Sequence, residues 1–133
     1  MIKSTNFNFL KNAQATRTYP AGQLIFSAGQ VGEDMYYIKS GQVDITLTDK
    51  LAITLNAGEV FGEMAIIDSH IRCAYATAKT ECELVTINEK EFSFLVHQHP
   101  YFALNIMKIL AERLRNDNMF GAVTLTCAGM SVA

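Results

Sequence analysis

The sequence predicts a mainly β domain, an antiparallel sandwich or roll, with helices behind it. Three observations carry this. From Tyr19 to about Ile87 the chain runs in short segments of alternating hydrophobicity broken by glycines. After Asn88 the hydrophobic period changes to three and four, the spacing of helices. A length of 133 residues, 50% of them hydrophobic and 18% charged, suits one domain with a real core and argues against disorder.

The elements follow in order. Phe7, Phe9 and Leu10 predict a short helix capping the sheets. Gly22, Gly29, Gly32, Gly41 and Gly58 fall where turns requiring positive φ are expected. Met35-Tyr36-Tyr37-Ile38 reads as a strand. Val43, Ile45 and Leu47 face one way and Leu51, Ile53 and Leu55 repeat the pattern, with Thr48-Asp49-Lys50 as the turn between them. Ala74, Ala76 and Ala78 alternate with Tyr75 and Thr77, so one strand face carries only methyl groups and allows close approach by a sheet or a ligand. Glu83-Leu84-Val85-Thr86-Ile87 is a further strand.

Asn88 is the expected N-cap of a helix whose first turn holds Glu89 and Glu91, at the positive end of the helix dipole. Phe92, Leu95 and Val96 form its apolar side, and it stops near Pro100. A second helix is predicted from about Tyr101 to Asn116. Leu104, Met107, Leu110, Ala111 and Leu114 form its stripe, widened by Phe102, Ile106 and Ile109. A stripe this broad suits packing on its own domain and on a second copy. The tail, 121–133, has no period and is left unassigned.

Several function classes are excluded at this stage. No apolar run is long enough to cross a bilayer, and Met1-Ile2-Lys3-Ser4-Thr5-Asn6 leads into no signal-peptide core. With 11 basic and 13 acidic side chains the net charge is −2, so the basic excess of a chain that grips nucleic acid by itself is missing. Cys73, Cys82 and Cys127 are too few and too scattered for an oxidised framework, which points to a cytoplasmic location. His70, His97 and His99 lack partners at metal-ligand spacing, so neither a metal site nor an enzyme is expected.

The chemistry lies in Phe61-Gly62-Glu63-Met64-Ala65-Ile66-Ile67-Asp68-Ser69-His70-Ile71-Arg72-Cys73-Ala74-Tyr75-Ala76. A glycine precedes a short apolar run, long enough for one helical turn. Its opening amides, from Gly62 to Ala65, lack intrahelical partners and suit an anion. Arg72 brings a planar fork matched to phosphate, beside the small-residue strand. Glu63 is out of place in an anion pocket unless the ligand also presents a hydroxyl. One phosphate charge beside a sugar hydroxyl describes a nucleotide. Against this, a Glu and an Arg nine positions apart usually form nothing or a weak surface pair.

The wider pattern resembles the cyclic nucleotide-binding domains of the bacterial catabolite activator protein, the regulatory subunits of cAMP-dependent protein kinase and cyclic nucleotide-gated channels. The resemblance runs from about Tyr19 to Arg115. Its first half is Tyr19-Pro20-Ala21-Gly22-Gln23-Leu24-Ile25-Phe26, Gly29, Gly32, Met35-Tyr36-Tyr37-Ile38 and Ser40-Gly41-Gln42-Val43; its second is the phosphate-binding cassette, Phe61 to Ala78. It implies a jelly-roll-like β-roll (about 19–87) with an N-terminal helix and C-terminal lid helices (about 88–118), together one domain over 1–120. It also implies that Glu63 accepts from the ribose 2′-hydroxyl and that Arg72 pairs with the cyclic phosphate. The amides around Met64, Ala65 and Ala74 complete the cradle, Gly62 allows close approach, Phe61 opens the cassette, and Ile45 lines the purine side. A lid of Asp117, Asn118, Met119 or Phe120 over the base is the least specific part, since helix-end asparagines are commonly plain caps.

Cys73 stands where relatives often carry Ser, Thr or Ala. A thiol donates weakly, so cAMP or cGMP stays open with a lean to cAMP. The ligand implied is a cyclic purine nucleotide, with no cofactor. As read, the chain ends soon after the lid, without a helix-turn-helix, kinase-inhibitory linker or pore. Its signal is therefore expected to pass to a separate effector or to a homodimer through the C-terminal helix. The alternative is a nucleotide-incompetent relative acting only as an interaction or dimerisation module.

Overall fold

A computed structural model describes residues 10, 15–47, 50–67 and 71–115. Eight strands and three helices follow in chain order: β1 (Thr16–Tyr19), β2 (Leu24–Phe26), β3 (Asp34–Ser40), β4 (Val43–Leu47), β5 (Lys50–Leu55), β6 (Val60–Phe61), α1 (Met64–Ile67), β7 (Tyr75–Ala78), β8 (Cys82–Asn88), α2 (Glu89–Gln98) and α3 (Tyr101–Arg115). The strands make two antiparallel sheets, ordered β1-β8-β3-β6 and β2-β7-β4-β5. Among these strands, β4 and β5 form a hairpin within one sheet, and every other sequential step crosses to the opposite layer. That winding is a β-roll with helices after it, as expected.

Side-chain alternation explains why the first sheet is buried on both faces. On β3, Tyr36 and Ile38 point into the roll, while Met35 and Tyr37 point to the helices. On β8, Cys82 and Leu84 face the roll, and Val85 and Ile87 meet Phe102 and Ile106 of α3. Two cores therefore share one sheet. Each fully buried large apolar side chain here contributes about 1.5–3 kcal/mol. The second sheet turns Val43, Ile45, Leu55, Ala76 and Ala78 inward.

The helix boundaries have local causes. Asn88 caps α2 by accepting from the Glu91 amide at 2.8 Å, while the Glu91 carboxylate accepts from the Asn88 amide at 2.9 Å, a reciprocal capping box. The helix ends before Pro100, with the His99 amide donating to the Leu95 carbonyl at 2.8 Å. Among the described residues, no helix is long and apolar enough to cross a membrane.

Several expectations need correction. The β region begins at Thr16 rather than Tyr19: β1 is polar and mostly exposed, but it pairs along β8 from Thr16↔Val85 to Tyr19↔Cys82. Lys50 is not in the turn, because it already pairs with Leu47. The β4–β5 ladder slips between Ile45 and Thr46, which pair with Ile53 and Leu51, so the backbone of β5 carries one extra residue and its period of two is interrupted there. On α3 the buried face is Phe102, Asn105 and Ile106, with Ile109 and Leu110 beside it, whereas Leu104 and Met107 are exposed. Phe92 of α2 sets this phase by meeting Phe102 edge-on at 5.3 Å. Leu10 is buried in the helix-side core, while Phe7, Phe9 and the tail lie outside the described residues.

Candidate functional site

The cassette is shaped by its backbone before any side chain enters. After β6, Gly62 takes φ +79°, a left-handed conformation that glycine adopts without strain, and the chain turns directly into α1. Residues 68–70, Asp68 to His70, lie outside the described residues. Beyond them the chain is tied to the loop after β2. Val31 and Ile71 form a bridge, the Arg72 amide donates to Gln30 O at 2.8 Å, and the Gly29 amide donates to Arg72 O at 2.7 Å. Phe26 then pairs with Ala76 and Leu24 with Thr77. This ladder fixes Arg72 over the end of β2.

The Arg72 guanidinium goes inward, leaving the residue 6% exposed. Nη1 donates to Gly62 O at 3.1 Å and Nη2 to Asp34 O at 2.7 Å. Its Cζ lies 4.1 Å from the centre of the Phe26 ring and 5.6 Å from that of Tyr36. Phe26, Tyr36 and Phe61 form an aromatic trio, with Tyr36 stacked on Phe61 at 5.0 Å and 15°. Burial pulls the Arg72 pKa below its ordinary value, and Tyr36, Asp34 and Glu63 oppose that shift. Burial likewise pushes the Tyr36 hydroxyl upward, with Arg72 acting the other way.

Two glycines make the space. A Cβ on Gly32 would overlap Nε and Cζ of Arg72, and a Cβ on Gly62 would lie 2.9 Å from Nη1. Gly22, Gly29, Gly41 and Gly58 do have the positive φ expected of them, but Gly32 does not. It is needed for room, not for its backbone angle.

The remaining sequence-predicted residues fall into place unevenly. Glu63 is 4% exposed, at the head of α1 and close enough to act electrostatically on Arg72. The Ala65 amide differs from expectation: it donates to Gly62 O over a long 3.3 Å. Ala74, Ala76 and Ala78 all face the roll interior and are buried, as their alternation required. Phe61 and Ile45 are also buried in that core, Phe61 against Tyr36 and Ile45 opposite Ala76. Cys73 is half-buried against the same core. The lid candidates Asp117, Asn118, Met119 and Phe120 lie outside the described residues.

Four residues of the arginine's surroundings went unremarked in the sequence as site residues: Phe26, Gly32, Asp34 and Tyr36. Gly32 and Tyr36 lie in the turn-and-strand pattern of the first half, where they read as turn and core. Asp34 contributes a backbone carbonyl, which leaves no mark on residue type. Among the described residues, no three His, Cys, Asp or Glu side chains converge as a metal site. His97 and His99 are both exposed at the end of α2.

Comparison with known proteins agrees with this geometry. A family model described as the cyclic nucleotide-binding domain matches residues 16–99. The chain is 33% identical over 108 residues to the cyclic AMP receptor protein of Thermus thermophilus, covering 77% of this chain and 50% of that protein. It is 37% identical over 97 residues to a cyclic nucleotide-gated potassium channel of Rhizobium etli, covering 73% and 27%. The crystal structure of the Thermus thermophilus catabolite activator protein matches with a TM-score of 0.72 at 31% identity, over 83% of this chain and 54% of that one. The chain thus spans half or less of the length of these two relatives.

Proposed function

Because the chain belongs to the cyclic nucleotide-binding domain family, we propose that it is a sensor of a 3′,5′-cyclic purine nucleotide, cAMP or cGMP. The observation that carries this is the buried Arg72, its fork fixed by the Gly62 and Asp34 carbonyls beside the equally buried Glu63. In this reading Arg72 turns N–H groups to the exocyclic phosphate oxygens, where the planar fork suits two parallel charge-assisted bonds. The Met64 and Ala74 amides add donors, and Glu63 accepts from the ribose 2′-hydroxyl. The net charge of −2 does not oppose an anion site, since one dry arginine and a few amides supply the field locally.

The signal is proposed to leave through the helices. Ile66 of α1 packs against the helix-side core, and on β3 Tyr36 faces the cassette while the next residue, Tyr37, faces α2 and α3. A ligand that moves α1 therefore acts on side chains that already touch the helices. The proposal includes a cytoplasmic location, a separate effector or a homodimer through α3 as recipient, and binding as the whole activity, with no catalytic step. It gives the chain no nucleic-acid contact of its own.

Isothermal titration of nucleotide-stripped protein with cAMP, cGMP and 5′-AMP tests the reading. Micromolar or tighter binding of a cyclic nucleotide, with 5′-AMP much weaker, is expected; no heat with either cyclic nucleotide would sink it. A second reading, a module working through protein contact alone, is favoured by the exposed Phe94, Tyr101, Leu104 and Met107 on α2 and α3. It predicts that null titration together with a stable dimer in sedimentation.

A further inference from the structure

The contacts that place Arg72 include an aromatic face. Phe26 is buried at the end of β2, and its ring centre lies 4.1 Å from the Arg72 Cζ, van der Waals contact for a guanidinium laid over a ring. Tyr36 stands behind at 5.6 Å, and each of these rings leans on Phe61, so the platform is itself packed from behind. The ladder from Phe26↔Ala76 to the Gly29 and Gln30 bonds with Arg72 sets the spacing between ring and arginine through backbone alone. The two carbonyl bonds engage the guanidinium at its edge, through Nη1 and Nη2, and leave its flat face to be satisfied by something else. Burying a cation costs free energy unless it is compensated, and the negative face of an aromatic ring compensates without consuming an N–H donor. That distinction matters for a ligand-binding arginine, because its donors are what an anion needs.

We propose that Phe26 is a positioning residue for the phosphate-binding arginine: its ring face holds the Arg72 guanidinium by cation–π attraction, fixes its plane, and so sets the affinity for a cyclic phosphodiester. This rests on the reading of Arg72 as the phosphate ligand. The role is separable from core packing, because packing depends on ring size and the attraction depends on the electron density of the ring face.

The experiment follows from that separation. Phenylalanine carrying one, two or three ring fluorines is placed at position 26 alone, in the full chain, and cAMP affinity and thermal unfolding are measured for each. Fluorine withdraws density from the ring face while scarcely changing its shape. The expected result is a stepwise loss of affinity, about tenfold across the series, with thermal stability unchanged or slightly raised. In parallel, the Arg72 Nε–H proton of the nucleotide-stripped protein is expected at an upfield, ring-shielded position that Phe26→Leu abolishes. Constant affinity across the series, with normal binding by the parent, overturns the role of Phe26 and leaves the nucleotide site standing. No binding of cAMP or cGMP by the parent overturns the phosphate reading and the affinity role with it. An unshielded Nε–H proton overturns the stacked geometry whatever the titrations give.

Discussion

Replacing Gly32 by alanine probes the placement of Arg72 without touching the arginine. The backbone at Gly32 lies outside the left-handed region, so alanine brings no conformational strain and even restricts the unfolded chain, by itself a gain of about 0.4–1 kcal/mol. The added Cβ would, however, overlap Nε and Cζ of Arg72 and lie 2.8 Å from Nη2. A flexible side-chain end yields more readily than a backbone, so the guanidinium is expected to leave its nest. It then gives up its bonds to Gly62 O and Asp34 O and its stack on Phe26. Each bond to a charged donor is worth about 1.5–3 kcal/mol net, and part returns as the guanidinium is rehydrated. A net stability loss of about 1–3 kcal/mol is expected from these opposing terms.

Binding should suffer more than folding. Losing two charge-assisted bonds to a phosphate removes at least about 3 kcal/mol, a hundredfold or more in Kd. A double-mutant cycle by chemical denaturation and titration isolates the cause. With Arg72→Ala in place the obstruction is gone, so Gly32→Ala should become neutral or stabilising and should cost no further affinity. The reasoning is refuted if Gly32→Ala lowers stability equally in both backgrounds, or if it binds cyclic nucleotide within threefold of the parent.

Three further outcomes are expected. Arg72→Ala should weaken cyclic nucleotide binding a hundredfold or more and Glu63→Ala about tenfold, because Glu63 answers one hydroxyl while Arg72 answers the phosphate charge; equal losses in titration would contradict these roles. Asn88→Ala should cost about 1 kcal/mol of stability by removing the acceptor for the Glu91 amide, with nucleotide affinity unchanged, as denaturant unfolding and titration will show. Burial pushes the Cys82 thiol pKa upward, so the folded protein holds that proton more tightly than the unfolded chain. The resulting stability is fully present below the unfolded thiol value, about 8.5, and is lost as pH rises through the folded one. Unfolding free energy measured from pH 7 to 9.5 should therefore fall in the parent and stay flatter in Cys82→Ala.

Where the fold was legible, a face had a single environment. Ala74, Ala76 and Ala78 point into the roll and nowhere else, so simple alternation placed them correctly. Asn88 and Glu91 cap by a local rule that needs no knowledge of the rest of the chain. Legibility fails where two environments compete. The helix α3 is apolar around much of its circumference, so spacing alone does not say whether Leu104 and Met107 or Phe102 and Ile106 meet the sheet. The Phe92–Phe102 contact decides it, and that contact depends on how α2 and α3 dock. Strand β1 fails for the opposite reason: it is too polar to show a pattern, and its partner β8 comes more than sixty residues later in the chain.

The site divides in the same way, and the division says what a motif is. Gly62, Glu63 and Arg72 stand out in the sequence because a glycine before a short apolar run, a carboxylate and a guanidinium are marked residue types, and the proposed roles rest on those types. Apart from the Gly62 carbonyl, the groups that hold Arg72 act through shape, a carbonyl or a ring face, and these belong to residues 36 to 46 positions away in the sequence: Tyr36 and Phe26 at the extremes, with Asp34 and Gly32 between. What joins them to the arginine is the ladder between the end of β2 and the start of β7. An intact cassette therefore does not guarantee a competent site. A substitution at Phe26 or Gly32 leaves every residue of the motif in place and still displaces its guanidinium, and for that reason affinity in this chain should follow the first half of the roll as closely as the cassette itself.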